Sequence, residues 1–153
     1  MKDVEQFKTS LGIELANYFT AQLPFFADHE IRILDFELYP WHDGQLLINF
    51  LVTGEDACEE KAAPDSEYYT PDWQFFSFNQ DFDGHESEAL NAVIYDFLGI
   101  DAQSVISDDD LFRLFASVVK SDRVMAAIHQ YKLSSQFEIR VRDPDDQDND
   151  YFK

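Results

Sequence analysis

Two neighbouring segments alternate with a period of two, and this constrains the fold more than any other stretch of the chain. Ile31 to Tyr39 and Gln45 to Thr53 are β-branched, aromatic or alternating, and Trp41-His42-Asp43-Gly44 between them has turn chemistry, so the pair forms a β-hairpin. Leu34, Phe36 and Leu38 share one face of the first strand, and Leu46, Ile48, Phe50 and Val52 supply the matching apolar row on the second. Asp35 and Glu37 fall on the opposite face, which reads as a sheet covered on one side only.

The rest of the chain supplies the cover. Val4, Phe7, Leu11, Leu15 and Tyr18 recur at steps of three and four over residues 3 to 22, an apolar helical stripe that Gly12 weakens and that Pro24 ends. Leu90, Val93, Ile94, Phe97 and Leu98 make a second stripe, and Leu111, Leu114, Phe115, Val118 and Val119 a third. Val124, Ile128 and Tyr131 continue after a break near Ser121-Asp122. Trp73 to Phe78 reads as a third strand. Gln136 to Arg142 is the clearest strand, with Phe137, Ile139 and Val141 alternating with Glu138, Arg140 and Arg142, the two arginines facing outward. The expected fold is a two-layer α+β domain over residues 1 to 142, a small antiparallel sheet of about four strands with helices packed on one face. Residues 143 to 153, with five aspartates and one proline between Asp143 and Asp150, read as an acidic flexible tail.

Charge narrows the function. The 153 residues include 31 acidic and 11 basic ones, for a formal charge of -20, so nucleic acid and anionic membrane surfaces are both repelled. The 15 Phe, 7 Tyr and 2 Trp place this acidity on a folded body rather than on a disordered chain. The single cysteine, Cys58, cannot form an internal disulfide, and Met1-Lys2-Asp3-Val4-Glu5 lacks the order of a signal peptide, which points to the cytoplasm. The acidity is concentrated: residues 54 to 110 carry 16 acidic groups and one basic group, whereas residues 111 to 142 are net positive.

Within that acidic third, Glu55, Asp56, Glu59, Glu60, Asp65, Glu67 and Asp72 share one connection with Tyr68, Tyr69 and Trp73. Interleaved acids and aromatics suit a protein-binding surface, because aromatic anchors supply desolvated contact area while carboxylates steer a basic partner. A solvated loop with its aromatics folded back on the sheet is the plainer reading of the same residues.

Other motifs resolve into caps. Asn79, Asp81, Asp83 and Gly84 match the first half of a calcium-binding loop, but its twelfth position is Leu90 where a glutamate is needed, and Asp83 with Glu86 reads as a helix cap. Ser107 before Asp108, Asp109 and Asp110 is likewise a cap with acids favoured by the helix dipole. His29, His42, His85 and His129 have no zinc spacing, and the carboxylates around Cys58 suppress a thiolate. No catalytic residue, metal site or cofactor is expected, and the chain reads as a non-enzyme.

Tyr68-Tyr69-Thr70-Pro71-Asp72-Trp73, followed by an acidic helix start, is similar to small immunity-like domains. In length, acidity and aromatic content the chain resembles the immunity proteins of bacterial polymorphic or contact-dependent toxin systems. The resemblance implies a cytoplasmic protein that binds and neutralises a cognate toxin domain, often a basic nuclease. The alternatives are a DNA-mimic or sequestration protein, which would use the same charge without an aromatic anchor, and a small carboxylate- or metal-dependent hydrolase.

Overall fold

The computed structural model describes residues 3–41, 44–55, 70–99 and 106–153. Helix α1 (Val4–Gln22) is followed by strands β1 (Ile31–Tyr39) and β2 (Gln45–Val52), then by α2 (Phe78–Asp81), α3 (Glu88–Leu98), α4 (Asp108–Val119) and α5 (Asp122–Ile128), and finally by β3 (Leu133–Asp143) and β4 (Asp146–Asp150). The fold is two-layer α+β. The four strands form one sheet in the order β2-β1-β3-β4.

Side-chain chemistry sets the element ends. Asp3 starts α1, its Oδ1 accepting from the Glu5 and Gln6 amides at 3.0 and 3.2 Å. Ser107 caps α4 as its position suggests, Oγ accepting from the Asp110 amide. Helix α3 is capped by Ser87, whose Oγ accepts from the Leu90 amide, and not by Asp83 with Glu86. The hairpin turn closes at Gly44, whose φ of +79° suits glycine and where a Cβ would lie 2.5 Å from Leu98 Cβ on α3. His42 and Asp43 of that turn, like Cys58, lie outside the described residues.

The hairpin forms and pairs its two apolar rows, with Leu34 opposite Phe50, Phe36 opposite Ile48 and Leu38 opposite Leu46. That row meets Ile139 and Val141 of β3 and Phe7, Leu11, Leu15 and Phe19 of α1 in one core, to which α3, α4 and α5 also contribute. Phe19 and Phe26 anchor its aromatic part, Phe26 stacking on Phe50 at 4.3 Å between ring centres.

Three expectations about the strands and the C-terminal residues change. The sheet is mixed and not antiparallel: the helices between β2 and β3 carry the chain across the sheet, so β3 lies parallel to β1, and parallel pairing requires such a crossover. Trp73 to Phe78 is not a strand. Phe75 makes a single bridge to Phe50, and Ser77, at a left-handed φ of 52°, turns the chain into α2. The edge of β2 is met there by a side chain, Asn79 Oδ1 accepting from the Ile48 amide at 2.7 Å and Nδ2 donating to the Leu46 carbonyl at 2.9 Å. Asn79 is thereby spent on the sheet, not on a cation.

The third change concerns residues 143 to 153, which are part of the fold and not a flexible tail. The weakly strand-forming Asp146–Asp150 segment is held in place by Tyr151 and Phe152. Tyr151 donates its amide to the Val141 carbonyl and its hydroxyl to Asp109 at 2.9 Å, and its ring stacks on Phe112 at 5.2 Å. Lys120 lies over the Phe152 ring. Tyr151→Ala is expected to lower stability by about 1–2 kcal/mol through lost stacking and hydrogen bonding. In urea this is read as a lower midpoint at unchanged slope. An unchanged midpoint would mean that the C-terminal strand is merely adjacent to the domain.

Candidate functional site

The second face of the sheet is where the structure departs most from a surface of solvated charge. Ile33, Asp35 and Glu37 of β1, Asn49 and Leu51 of β2, and Arg140 and Arg142 of β3 are all buried on it. Asp35 lies beside Asn49 on one side and Arg140 on the other, and Glu37 lies beside Arg142, so strand register alone brings these polar groups into one row.

Arg142 is the centre. Its Nε donates to Asp35 Oδ1 at 2.6 Å, and its Nη2 to Asp35 Oδ2 at 3.2 Å and to Glu37 Oε1 at 2.9 Å. The Arg142 side chain is 2% exposed and that of Asp35 0%. Asn49 Nδ2 donates to Asp35 Oδ2 at 2.9 Å, Thr70 Oγ1 to Glu37 Oε1 at 2.7 Å, and the Tyr39 hydroxyl to Glu37 Oε2 at 3.1 Å. Every oxygen of the two carboxylates therefore has a donor, the condition under which buried charge is tolerated. Arg140 is paired with Glu138, so neither arginine of β3 faces outward as its alternation suggests.

Two carboxylates share one guanidinium here. Burial, and then the charge of Asp35, push the Glu37 carboxyl above its ordinary range, against the pull of Thr70, Arg142 and Tyr39. Burial and the neighbouring Glu37 push the Tyr39 hydroxyl up to about 12. Burial alone would lower Arg142, but its bonds to Asp35 and the charges of Asp35 and Glu37 raise it instead. Both carboxylates are buried, and each of their oxygens accepts at least one hydrogen bond from a neighbouring side chain. The arrangement is suited to holding strands and loop ends in place.

It does so for the acidic segment. Asp56, Glu59, Glu60, Asp65, Glu67, Tyr68 and Tyr69 lie outside the described residues, but both ends of that segment are visible. At one end Glu55 clips the sheet to the returning chain, accepting from the Val52 amide at 3.0 Å and the Gln74 amide at 2.6 Å. At the other, Thr70 is tied to Glu37 and opens a short 3-10 turn in which Asp72 is exposed. Farther along, Asn49 Oδ1 accepts from the Ser77 amide at 2.7 Å.

Trp73 stands apart from Asp72. It is 3% exposed and packs on Ile33 and Leu51, with Phe76 against them. Its ring covers the second face of the sheet and is not presented to a partner. Its indole N–H and the Tyr18 hydroxyl are buried without a hydrogen-bond partner among the described residues. Of the expected binding residues, the structure thus brings Glu55 and Trp73 together around Gln74 and leaves Asp72 in solvent. Two open grooves lie elsewhere: one of about 310 Å³ between α1 and α3, with Phe7, Asp96 and Phe97 in its walls, and one of about 390 Å³ between α1 and the α4–α5 junction. Among the described residues no group of three or more His, Cys, Asp or Glu side chains is placed to hold a metal ion, and no helix is long and apolar enough to cross a membrane.

Arg142→Met is expected to cost about 3–5 kcal/mol, because it leaves two buried carboxylates without a cation. Trp73→Ala should cost a similar ~3–5 kcal/mol by opening the packing over Ile33 and Leu51. Glu37 makes a signed prediction: its folded-state pKa lies above the ordinary 4.5, so charged Glu37 opposes folding at high pH and this is relieved as pH falls through the raised value. Relative to Glu37→Gln, the wild type should therefore gain stability as pH drops from neutral toward about 5. Parallel stability curves for the two proteins would refute the raised pKa.

Comparison of the chain with protein-family models, with curated proteins and with solved structures finds no match.

Proposed function

We propose that this chain is an acidic cytoplasmic binding protein that neutralises a basic protein partner, an immunity protein against a cognate bacterial toxin domain, with no catalytic activity of its own. One observation carries the reading: how charge is divided between interior and surface. Asp72, Asp81, Asp83, Glu86 and Glu88 are exposed, and no lysine or arginine occurs between Lys61 and Arg113 to offset them. Meanwhile Arg140 and Arg142, a third of the basic groups in the one positive stretch of the chain, are turned into the sheet and matched by Asp35, Glu37 and Glu138. That cluster is nearly neutral, so almost all of the -20 falls on other residues.

A surface of this kind accelerates encounter with a cationic partner and repels nucleic acid and anionic lipid. The buried ionic row contributes indirectly, by fixing the flanks from which the acidic segment departs.

The test is whether a gene beside this one encodes a toxin domain and, with that domain in hand, whether the two proteins interact. The chain should bind it and abolish its toxicity on co-expression. Asp72→Lys, Asp81→Lys and Asp83→Lys combined should slow association by about tenfold or more at low salt with little change in dissociation, since all three side chains are exposed. The wild-type rate should itself fall as salt shortens the screening length to about 8 Å at physiological ionic strength. An association rate indifferent to both salt and the triple substitution would remove the acidic surface from the mechanism.

A further inference from the structure

Phe25, Trp41 and Tyr95 are the large hydrophobic side chains exposed among the described residues. Phe25 is the one built against the acid-bearing turn between α2 and α3. It follows Pro24 in the tight turn that ends α1, is 38% exposed, and is backed by Phe26 and Phe78 at 5.0 Å, Phe75 at 5.6 Å and His85 at 4.7 Å between ring centres. His85 Nδ1 lies 2.6 Å from Gln22 Oε1, a hydrogen bond that fastens the turn of residues 82–87 to the end of α1. Asp81, Asp83 and Glu86 are exposed on either side of His85, and Asp28 is exposed three residues after Phe25.

We propose that Phe25, held by the Phe26, Phe75, Phe78 and His85 rings, is the anchor of a docking site for an arginine-bearing segment of a basic protein partner, with Asp28, Asp81, Asp83 and Glu86 as its rim. The inference rests on the acidic-binding reading above and gives that surface its aromatic centre, the role Trp73 is too buried to fill.

The chemistry favours arginine. A guanidinium stacks on a phenyl face and at the same time presents a planar fork to carboxylates, whereas an ammonium does only the second as a point charge. A ring already packed against five others, the His29 ring stacked at 6.2 Å among them, loses little rotamer freedom on binding, which is what makes a preorganised aromatic an effective anchor. Charge complementarity selects the occupant, since a second copy of a chain carrying -20 is repelled by the same rim that attracts a cationic segment.

The probe is a short blocked peptide of alternating arginine and leucine, titrated into the full chain at low salt and followed by amide and aromatic chemical shifts. The largest changes are expected in residues 22–30 and 78–88, with the lysine-leucine analogue binding more weakly. Phe25→Ala should weaken the arginine peptide about tenfold or more. Phe25→Leu preserves apolar bulk but not the ring face and keeps the test open if the alanine variant folds poorly; it should also weaken binding while unfolding cooperatively. Asp83→Asn with Glu86→Gln, both outside the core, should reduce affinity severalfold at unchanged melting temperature. If the Phe25 variants bind as wild type while the Asp72, Asp81 and Asp83 charge reversals abolish binding, the Phe25 anchor is wrong and the acidic-partner reading survives. If the peptide fails to bind the wild type at low salt, both fall.

Discussion

The Arg142 guanidinium, buried between Asp35 and Glu37, is the interaction on which the sheet depends. It joins the two central strands, β1 and β3, which come from distant parts of the chain and run parallel. A hydrophobic row specifies such a pairing only weakly, since sliding by two residues keeps the same face inward. A bidentate bond to Asp35 with a third contact to Glu37 is satisfied at one register, because any slip leaves buried charge unpaired. Replacing the cluster with well-packed apolar groups would not necessarily destabilise the domain, so its contribution is better understood as specificity of pairing than as net free energy.

The same cluster determines the path of the returning chain. Thr70 reaches Glu37, and Asn49 bridges Asp35 to the Ser77 amide, so the segment returning to the domain is fastened at two points to the ionic row. Trp73 sits between those points with its ring against Ile33 and Leu51. Ionic and apolar contacts alternate along this stretch, and together they hold Asp72 outward while drawing its neighbour inward.

This alternation explains what is and is not legible in the sequence. Period two in β1 and β3 identifies which residues share a face, and the helical stripes identify α1, α3, α4 and α5. Period says nothing of whether a polar face is covered, so Asp35, Glu37, Arg140 and Arg142 read as solvated although their surroundings bury them. The parallel order of β1 and β3 depends on the path of the connecting helices, which no local pattern encodes. Strand β4 is invisible in the pattern because Asp146 to Asp150 has the composition of a loop and its order is supplied by Tyr151, through Phe112 and Asp109 on another element. Trp73 is ambiguous for a related reason, since an aromatic among acids has the same local pattern whether its ring turns to the sheet or to solvent. Phe25 and Phe26 show the limit most plainly: two adjacent residues of one type, 38% and 1% exposed, are distinguished only by which side of the turn after α1 each occupies.

The two faces of the sheet are consequently assigned different work. The rings behind Phe25 belong to the apolar core on the helical side, whereas Arg142, Asp35 and Glu37 lie on the opposite side of the same strands. Strand β2 connects them: Phe50 touches Phe26 and Phe78 on one face, and Asn49, the residue before it, bonds Asp35 on the other. A basic partner seated on the aromatic side would therefore meet a surface whose geometry is set from behind by the ionic row. That separation also keeps the fold's own cation away from the surface charge, because the carboxylates that hold Arg142 are buried and hydrogen-bonded while Asp28, Asp81, Asp83 and Glu86 stand in solvent.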